Sequence, residues 1–200
     1  MIPRTEQRPQ QIGLHKVHAM SCHQQTFHYQ KFLEKKTKLK SNKDFFIGYS
    51  PERVNPGDKI NTIENINKIV SIDTKNKNIL SKVSKVYKTV CKKIAFSENV
   101  TAAETAKVIE NIQRDVNIAL MNEISIIFKK LNIDINEVIE AAASKWNFQK
   151  YYPGLVGSHC IGVDPYYLSY KSMSIGLQPK LILTSRKINE KMILNIIKSL

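Results

Sequence analysis

The sequence predicts a small α/β segment followed by a wholly helical domain built on one long helix. Three observations support this fold class. Residues 44–52 and 65–72 have the composition of short buried strands. Residues 76–91 carry apolar side chains at helical spacing, and residues 101–131 carry a much longer stripe with the same period. A strand and helix pattern that gives way to helices alone indicates two parts of different architecture.

Composition and charge narrow the classes of function. Of the 200 residues, 42% are hydrophobic, which is enough to bury a core and argues against wholesale disorder. The formal net charge of +14 suggests nucleic acid, an anionic membrane or an anionic small molecule as a partner. No groove-reading motif is present, so we expect no nucleic-acid partner. The longest apolar runs fall far short of the roughly 20 residues that cross a bilayer, so we expect no membrane span.

The cysteines indicate the compartment. Cys22, Cys91 and Cys160 are widely spaced and odd in number, so they cannot all pair within the chain. No secretory hydrophobic region precedes them. We therefore expect a reduced, cytoplasmic setting.

Residues 1–31 differ in composition from the rest of the chain. They are rich in His, Gln and Pro, whereas Lys, Asn and Ile dominate afterwards. A shifted reading frame upstream of Phe32 would explain the change. The segment contains side chains of the types that bind zinc, which are His15, His18, Cys22, His23 and His28. Their spacing fits no standard finger, so we expect a disordered segment and no metal site.

The strongest local prediction is the long helix. Thr101 and Glu104 have the spacing of a capping box, which places the start of the helix near Thr101. The apolar stripe continues to about Leu131 and is too wide for one shallow contact. Such a helix needs partners on two sides, which suits a helix that connects domains or forms a dimer. Further helices are predicted over residues 136–143 and 181–200, with a loop rich in Tyr and Gly before the last one.

Three groups of residues could carry chemistry. Cys160 lies in that loop, where a thiol could act as a nucleophile or could be a small buried hydrophobe, the commoner fate of a lone cysteine. Lys107 and Asn111 are four residues apart and share a helix face, where they could equally be a solvated cation and a packing amide. Glu52 and Arg53 follow a predicted strand, the edge at which α/β proteins gather ligands, or they form a turn with a surface ion.

Four segments, in order, carry a resemblance to a known family. They are GYSPERVNPGD (48–58), AAETAKVIENIQRDVNIALMNE (102–123), KWNF (145–148) and PGLVGSHCIGVDPYYL (153–168). Together they resemble the UDP-glucose/GDP-mannose dehydrogenase family, most nearly its UDP-N-acetylmannosamine or UDP-N-acetylglucosamine 6-dehydrogenases of bacterial surface-polysaccharide synthesis. The resemblance runs from about Phe32 to about Lys191. It implies an enzyme that oxidises the C6 alcohol of the sugar to a carboxylate in two NAD-dependent steps.

The resemblance also implies roles for individual residues. Cys160 would be the nucleophile that adds to the C6 aldehyde and later leaves a thioester cleaved by water. Lys107 and Asn111 would stabilise negative charge on the C6 oxygen. Asp164 would organise water and the lysine, and Glu52 would orient the C6 centre and water.

Substrate binding is implied for a second group. Arg53, Tyr152, Gly157 and His159 would contact a UDP-activated N-acetylated hexose, with Tyr151 beside Tyr152 in the pocket wall. Ser158 stands where the family commonly has a second glycine, which could perturb a close backbone approach.

The cofactor expected from the resemblance is NAD, but its binding loop is missing. The seven glycines, at positions 13, 48, 57, 154, 157, 162 and 176, include no two that lie two residues apart, so no G-x-G-x-x-G loop exists. The cofactor-binding residues are therefore unknown.

The resemblance divides the chain into three parts. Residues 1–31 are atypical, residues 32–98 would be the end of a Rossmann-like NAD domain, and residues 99–200 a central helical domain that pairs with a second copy. We expect a homodimer through the long helix, a chain truncated at both ends, and no turnover by this chain alone. Two alternatives to the enzyme are a non-catalytic dimerisation module and, less favoured, a basic nucleic-acid-binding fragment.

Overall fold

The structure is a computed structural model that describes residues 21–54, 57–157 and 160–198. In chain order its elements are α1 (Ser21–Thr37), β1 (Gly48–Tyr49), β2 (Asn67–Ile72), α2 (Lys77–Lys88), β3 (Lys93–Ser97), α3 (Val100–Leu131), α4 (Ile135–Ala142), α5 (Asp164–Ser174) and α6 (Lys180–Ile197). The described part is thus mainly helical with one small sheet. It divides into two compact units, Met1–Lys107 and Val108–Leu200.

The first unit contains a three-stranded sheet in the order β1-β2-β3. β1 runs antiparallel to β2, and β2 runs parallel to β3 with Asn67 opposite Lys93 and Ser71 opposite Ser97. Helix α2 makes the crossover that two parallel neighbours require. The close approach of β1 to β2 requires a glycine, because a Cβ at Gly48 would lie 2.9 Å from the Ser71 carbonyl oxygen.

Strand β2 forms the buried centre of this unit. Val70, Ser71 and Ile72 are all buried, as is Cys91 just before β3. The strand predicted over residues 65–72 is therefore present as Asn67–Ile72. The strand predicted over 44–52 is wrong for most of its length, since only Gly48 and Tyr49 of this range form a strand. The preceding residues instead form a turn in which the Asp44 carboxylate accepts a hydrogen bond from the Lys40 N–H at 2.8 Å.

Helix α2 is shorter than the predicted 76–91. The side chain of Asn76 caps its start and accepts hydrogen bonds from the N–H groups of Asn78 and Ile79. The helix ends at Lys88, and Cys91 turns inward toward the sheet.

Helix α1 corrects the expectation that residues 1–31 are disordered, because residues 21–31 are helical. Both the N–H and the hydroxyl of Thr26 donate to the Glu104 carboxylate, at 2.9 and 2.6 Å. Residues 1–20, which include His15 and His18, lie outside the described residues.

The same contact corrects the predicted capping box. Glu104 is buried and binds Thr26 instead of the start of its own helix. The side chain of Asn99 caps α3, accepting from the Ala102 N–H at 3.0 Å. A buried carboxylate needs donors, and α1 supplies them.

The second unit is helical. Helix α3 has 32 residues in total and matches the predicted span of 101–131. Within this unit Val108, Ile112, Ala119 and Ile139 are buried apolar residues. Helices α4 and α6 lie within one to three residues of the predicted 136–143 and 181–200.

Helix α5 was missed, since its residues were taken for a loop. Pro165 lies in its first turn, where a missing N–H costs nothing, so the proline starts this helix and does not break it. Across the parts of the chain that the structure describes, no helix is both long and apolar enough to span a membrane.

Candidate active site

Cys160 lies on an exposed turn that leads into α5. Its carbonyl oxygen accepts hydrogen bonds from the N–H groups of Val163 and Asp164, at 3.1 and 2.9 Å, so the turn is closed by the backbone. This exposure excludes the alternative that Cys160 is a small buried hydrophobe. Cys91, in contrast, is buried.

Asn111 and Asp164 form a pair beside this turn. The Asn111 Nδ2 donates to the Asp164 Oδ2 at 2.6 Å, across 53 residues of sequence. Asn111 is buried, and Asp164 is half-buried at the first position of α5. Since the Asp164 N–H also bonds to the Cys160 carbonyl, three of the predicted catalytic residues are linked by hydrogen bonds.

Glu52, Arg53 and Lys107 belong to the first unit, and their roles stay predictions. The Glu52 Oε1 accepts from the N–H groups of Arg53 and Val54, both at 2.8 Å. The Lys68 ammonium lies 3.5 Å from the other carboxylate oxygen. Mainly because of the Val54 hydrogen bond, the pKa of Glu52 is lowered, so this group is a carboxylate at neutral pH and an acceptor of hydrogen bonds.

Lys68 is a residue that the sequence did not point to. It is buried on β2, and its Nζ donates to the Pro51 carbonyl at 2.8 Å. The Arg53 guanidinium donates to the Asn67 carbonyl at 3.3 Å. Both contacts fix the segment around Glu52 against β2.

The loop before Cys160 is anchored to α4. The Lys150 ammonium lies 2.6 Å from one Glu140 oxygen, and the Tyr152 hydroxyl donates to the other at 2.7 Å. The Lys150 hydrogen bond lowers the pKa of Glu140, and the same carboxylate raises the pKa of both Lys150 and Tyr152. A Cβ at Gly157 would meet no atom within 4 Å, so the space beside it is open. Ser158 and His159 lie outside the described residues.

A buried polar cluster in the second unit escaped the sequence analysis. It consists of Asp115 and Asn122 on α3 with Arg186 and Asn189 on α6, all buried. The Arg186 Nη1 lies 2.6 Å from the Asp115 Oδ1, and the Asn189 Nδ2 donates to the same oxygen at 2.8 Å. One signal was available, because Asp115 and Asn122 fall within about 40° of Asn111 on the helix, at positions i+4 and i+11.

No cluster of three or more His, Cys, Asp or Glu side chains suited to a metal ion occurs among the residues that the structure describes. What the geometry presents is an exposed cysteine on a backbone-closed turn, and the carbonyl of this cysteine is bonded to the N–H of Asp164, whose side chain pairs with Asn111. A thiol is one of the groups that can act as a nucleophile in covalent catalysis.

Comparisons with known proteins show what this chain is similar to. Residues 101–191 match the central domain of the UDP-glucose/GDP-mannose dehydrogenase family. Protein CapL of Staphylococcus aureus is 55% identical over 161 residues, which are 80% of this chain and 38% of that protein. A UDP-N-acetyl-D-glucosamine 6-dehydrogenase of Salmonella typhi is 53% identical over 76% of this chain and 35% of that protein.

A solved structure of a related dehydrogenase has a similar fold. The UDP-D-ManNAc dehydrogenase of Pyrococcus horikoshii superposes with a TM-score of 0.75 and 32% identity, over 84% of this chain and 39% of that one. Over residues 101–191 the chain is thus similar to the central domain of that family, as the motifs in this stretch predicted. It spans well under half the length of the curated relatives it matches, between 35% and 38% for the two named above.

Proposed function

We propose that this chain carries the covalent-catalysis residues of a nucleotide-sugar 6-dehydrogenase. The substrate would be UDP-N-acetylglucosamine or UDP-N-acetylmannosamine, as the names of its relatives suggest. The observation that carries the proposal is the exposed Cys160 turn, with Asp164 in the same turn bonded to Asn111.

The reaction assigned to Cys160 is capture of an aldehyde. The thiolate adds to the C6 carbon, which forms a C–S bond and moves the carbonyl electron pair onto the C6 oxygen. This oxyanion needs donors. An Asn amide has two N–H groups, and Asp164 holds one of them at 2.6 Å, so the second can be directed to the oxygen. Lys107 would supply the positive charge.

The adduct must then reach the oxidation level of a thioester, which water cleaves with departure of the thiolate. Asp164 and Glu52 would orient that water. Glu52 suits the role because its lowered pKa keeps it ionised, and a carboxylate accepts hydrogen bonds from water. Arg53, Tyr152, Gly157 and His159 remain the proposed contacts to the sugar.

NAD as the hydride acceptor is proposed from the family alone, because the described residues do not fit a dinucleotide site. Such a site needs free N–H groups at a helix start after a strand. The helix that follows β2 is α2, and the N–H groups of Asn78 and Ile79 at its start are taken by the Asn76 side chain. No step is therefore assigned to NAD on this chain.

The parallel β2-α2-β3 crossover supports a domain assignment. We assign residues 32–98 to the end of a Rossmann-like domain and residues 99–200 to the central helical domain. An α/β crossover followed by helices alone is what this division requires.

A second function, as a dimerisation module, is supported by an exposed stripe on α3. Ile109, Leu120, Ile127 and Leu131 are each about half exposed. At about 100° per residue they lie within about 40° of one another. An apolar stripe of this kind suits a second copy of the same helix.

Trapping of Cys160 tests the first function. Alkylation by iodoacetamide is followed at Cys160 by peptide-resolved mass spectrometry, with and without the C6 aldehydes of UDP-N-acetylglucosamine and UDP-N-acetylmannosamine. A thiohemiacetal holds the sulfur, so one of the aldehydes should protect Cys160, whereas the parent alcohols should not. Asn111→Ala should weaken protection on the order of 10-fold or more.

The matched control is Gln113→Ala, which removes an exposed amide two residues away on α3. It should leave protection unchanged. The proposal is refuted if neither aldehyde protects Cys160, or if both variants weaken protection equally.

Size in solution tests the dimer. Light scattering at micromolar concentration should give twice the chain mass of 22.9 kDa. Leu120→Glu combined with Ile127→Glu should give the monomer, whereas Lys129→Glu, about 200° from Ile109 on α3, should not. A monomeric unsubstituted chain would contradict this function.

A further inference from the structure

We infer that Asn122 is a positioning residue that holds the start of the Cys160 loop in place, an inference that rests on the function proposed for Cys160. Its side chain forms a two-point clamp on the backbone of Gly154. The Gly154 N–H donates to the Asn122 Oδ1 at 2.7 Å, and the Asn122 Nδ2 donates to the Gly154 carbonyl at 2.9 Å. Both groups that Asn122 contacts belong to the backbone of a glycine. The clamp therefore fixes the position of the backbone and involves no side chain of the loop.

The orientation of the Asn122 amide is itself fixed. Its Nδ2 also donates to the Asn189 Oδ1 at 2.9 Å, so both amide hydrogens are used. A flipped amide would place its oxygen against the Gly154 carbonyl and the Asn189 Oδ1. Asn122 is fully buried, where such an unpaired arrangement is costly.

Asn189 is held in turn by Asp115. The Asn189 Nδ2 donates to the backbone oxygen of Asp115 at 2.9 Å and to its Oδ1 at 2.8 Å. The Arg186 guanidinium binds the same carboxylate. The chain of contacts from Arg186 to Gly154 therefore has one self-consistent set of donors and acceptors.

The same cluster reaches the far end of the loop. The Arg186 guanidinium lies over the Tyr166 ring, 5.7 Å from its centroid, and the Tyr166 hydroxyl donates to Glu190 on α6. Tyr166 is in the first turn of α5. Cys160 lies six residues after Gly154 and six before Tyr166, so both flanks of the thiol are tied to the same α3 and α6 cluster.

The residues that directly follow Gly154 are open to solvent. Leu155 and Gly157 are exposed, and a Cβ at Gly154 or Gly157 would meet no atom within 4 Å. Fixing the ends of such a segment restricts the positions that the thiol samples. Covalent capture depends on holding the reacting atoms at short range, so loss of the clamp should impair capture more than it impairs the thiol.

The test compares Asn122→Ala, which removes both clamp bonds, with Gly154→Ala, which keeps both and has room for its Cβ. Asn122→Asp is the second variant, because it keeps the size of the side chain but loses both donors. Three quantities are measured on each full chain: the rate of hydrogen exchange of the peptide containing Gly154, the rate of alkylation of Cys160 by iodoacetamide, and the concentration of the UDP-N-acetylhexosamine aldehyde that half-protects Cys160.

In both Asn122 variants we expect exchange of the Gly154 segment to rise on the order of 10- to 100-fold. The aldehyde concentration that half-protects Cys160 should rise on the order of 10-fold, while alkylation by the small reagent stays within about 2-fold. Exchange of α3 amides around Ala119 should not change. Gly154→Ala should match the unsubstituted chain in all three quantities.

The inference is overturned if exchange near Gly154 is the same in Asn122→Ala and Gly154→Ala, or if the Ala119 amides accelerate by the same factor. It is also overturned if alkylation and protection weaken together. Failure of the proposed function gives a different result, because the aldehyde would then not protect Cys160 even in the unsubstituted chain. The comparison of hydrogen exchange near Gly154 would still show whether Asn122 holds this segment.

Discussion

The ion pair between Asp115 and Arg186 gives the sharpest prediction for stability. The two charges lie 2.6 Å apart, and their side chains are 0% and 7% exposed. Burial by itself lowers the pKa of the Arg186 guanidinium, but the hydrogen bond and charge of Asp115 raise it above its ordinary value. Arg186→Met keeps most of the length of the side chain and leaves the Asp115 carboxylate buried without its cation.

The expected cost follows from this geometry. At an effective dielectric constant of 20, two unit charges at this separation attract by about 6 kcal/mol, and desolvation of both opposes that gain. Removing one partner of a buried pair costs about 3–5 kcal/mol. Asp115 keeps its bond from Asn189, and the Asp115 Oδ2 and Arg186 Nε lack hydrogen-bond partners among the described residues. We therefore expect Arg186→Met to lower the free energy of unfolding by about 3 kcal/mol.

Urea unfolding followed by far-UV circular dichroism measures this cost at one fixed protein concentration. With a slope of about 2 kcal/mol per molar, the midpoint should fall on the order of 1.5 M. Adding Asp115→Asn removes the unpaired charge and should restore at least about 1.5 kcal/mol. Glu190→Gln is the control, since this half-exposed carboxylate lies 3.5 Å from Arg186 and should contribute under about 1 kcal/mol. A shift for Arg186→Met no larger than the control, or a double variant no more stable than the single one, would refute the reasoning.

Three further predictions concern other contacts. Thr26→Val removes one donor to the buried Glu104 and should lower the free energy of unfolding by about 1–3 kcal/mol in the same urea experiment. Asn76→Ala uncaps α2 and should cost about 1 kcal/mol, measured in the same way. The pKa of Glu140 is lowered by Lys150, so the stability that this contact adds is present above pH 4.5 and is lost as the pH falls through the lowered value. A carboxyl NMR titration should show the pKa of Glu140 rising toward its ordinary value in Lys150→Met, and an unchanged titration would contradict that cause.

The periodicity of apolar residues was sufficient to locate a helix that buries one face over many turns. The span of α3 was predicted to within a residue, because its apolar positions repeat over some eight turns. The short helices α4 and α6 were also located, with Asp134 as the observed cap of α4. Cys160 and Asn111 could be singled out because each breaks the pattern around it.

Contacts between distant residues could not be predicted from sequence. Glu104 reads locally as a capping residue, and only the approach of Thr26, 78 residues away, shows its real partner. The partner of Asp115 lies 71 residues away, at Arg186. Hydrogen bonds of this kind depend on the tertiary fold, so no local pattern encodes them.

In the second unit, helix α3 has a buried polar face and an exposed apolar face. Asn111, Asp115 and Asn122 form a buried polar stripe, and the exposed apolar stripe that contains Ile109 and Leu120 lies about 200° away around the helix. Apolar packing tolerates small shifts in the positions of the packed side chains, whereas the geometry of a hydrogen bond tolerates little. The polar face therefore sets where α5, α6 and the Cys160 loop lie against α3, at the energetic cost of burying charge. The proposed dimer would use the apolar face, where buried area matters more than exact position. If this division holds, substitutions at Leu120 change the mass in solution but not the exchange of the Gly154 segment, and substitutions at Asn122 do the reverse.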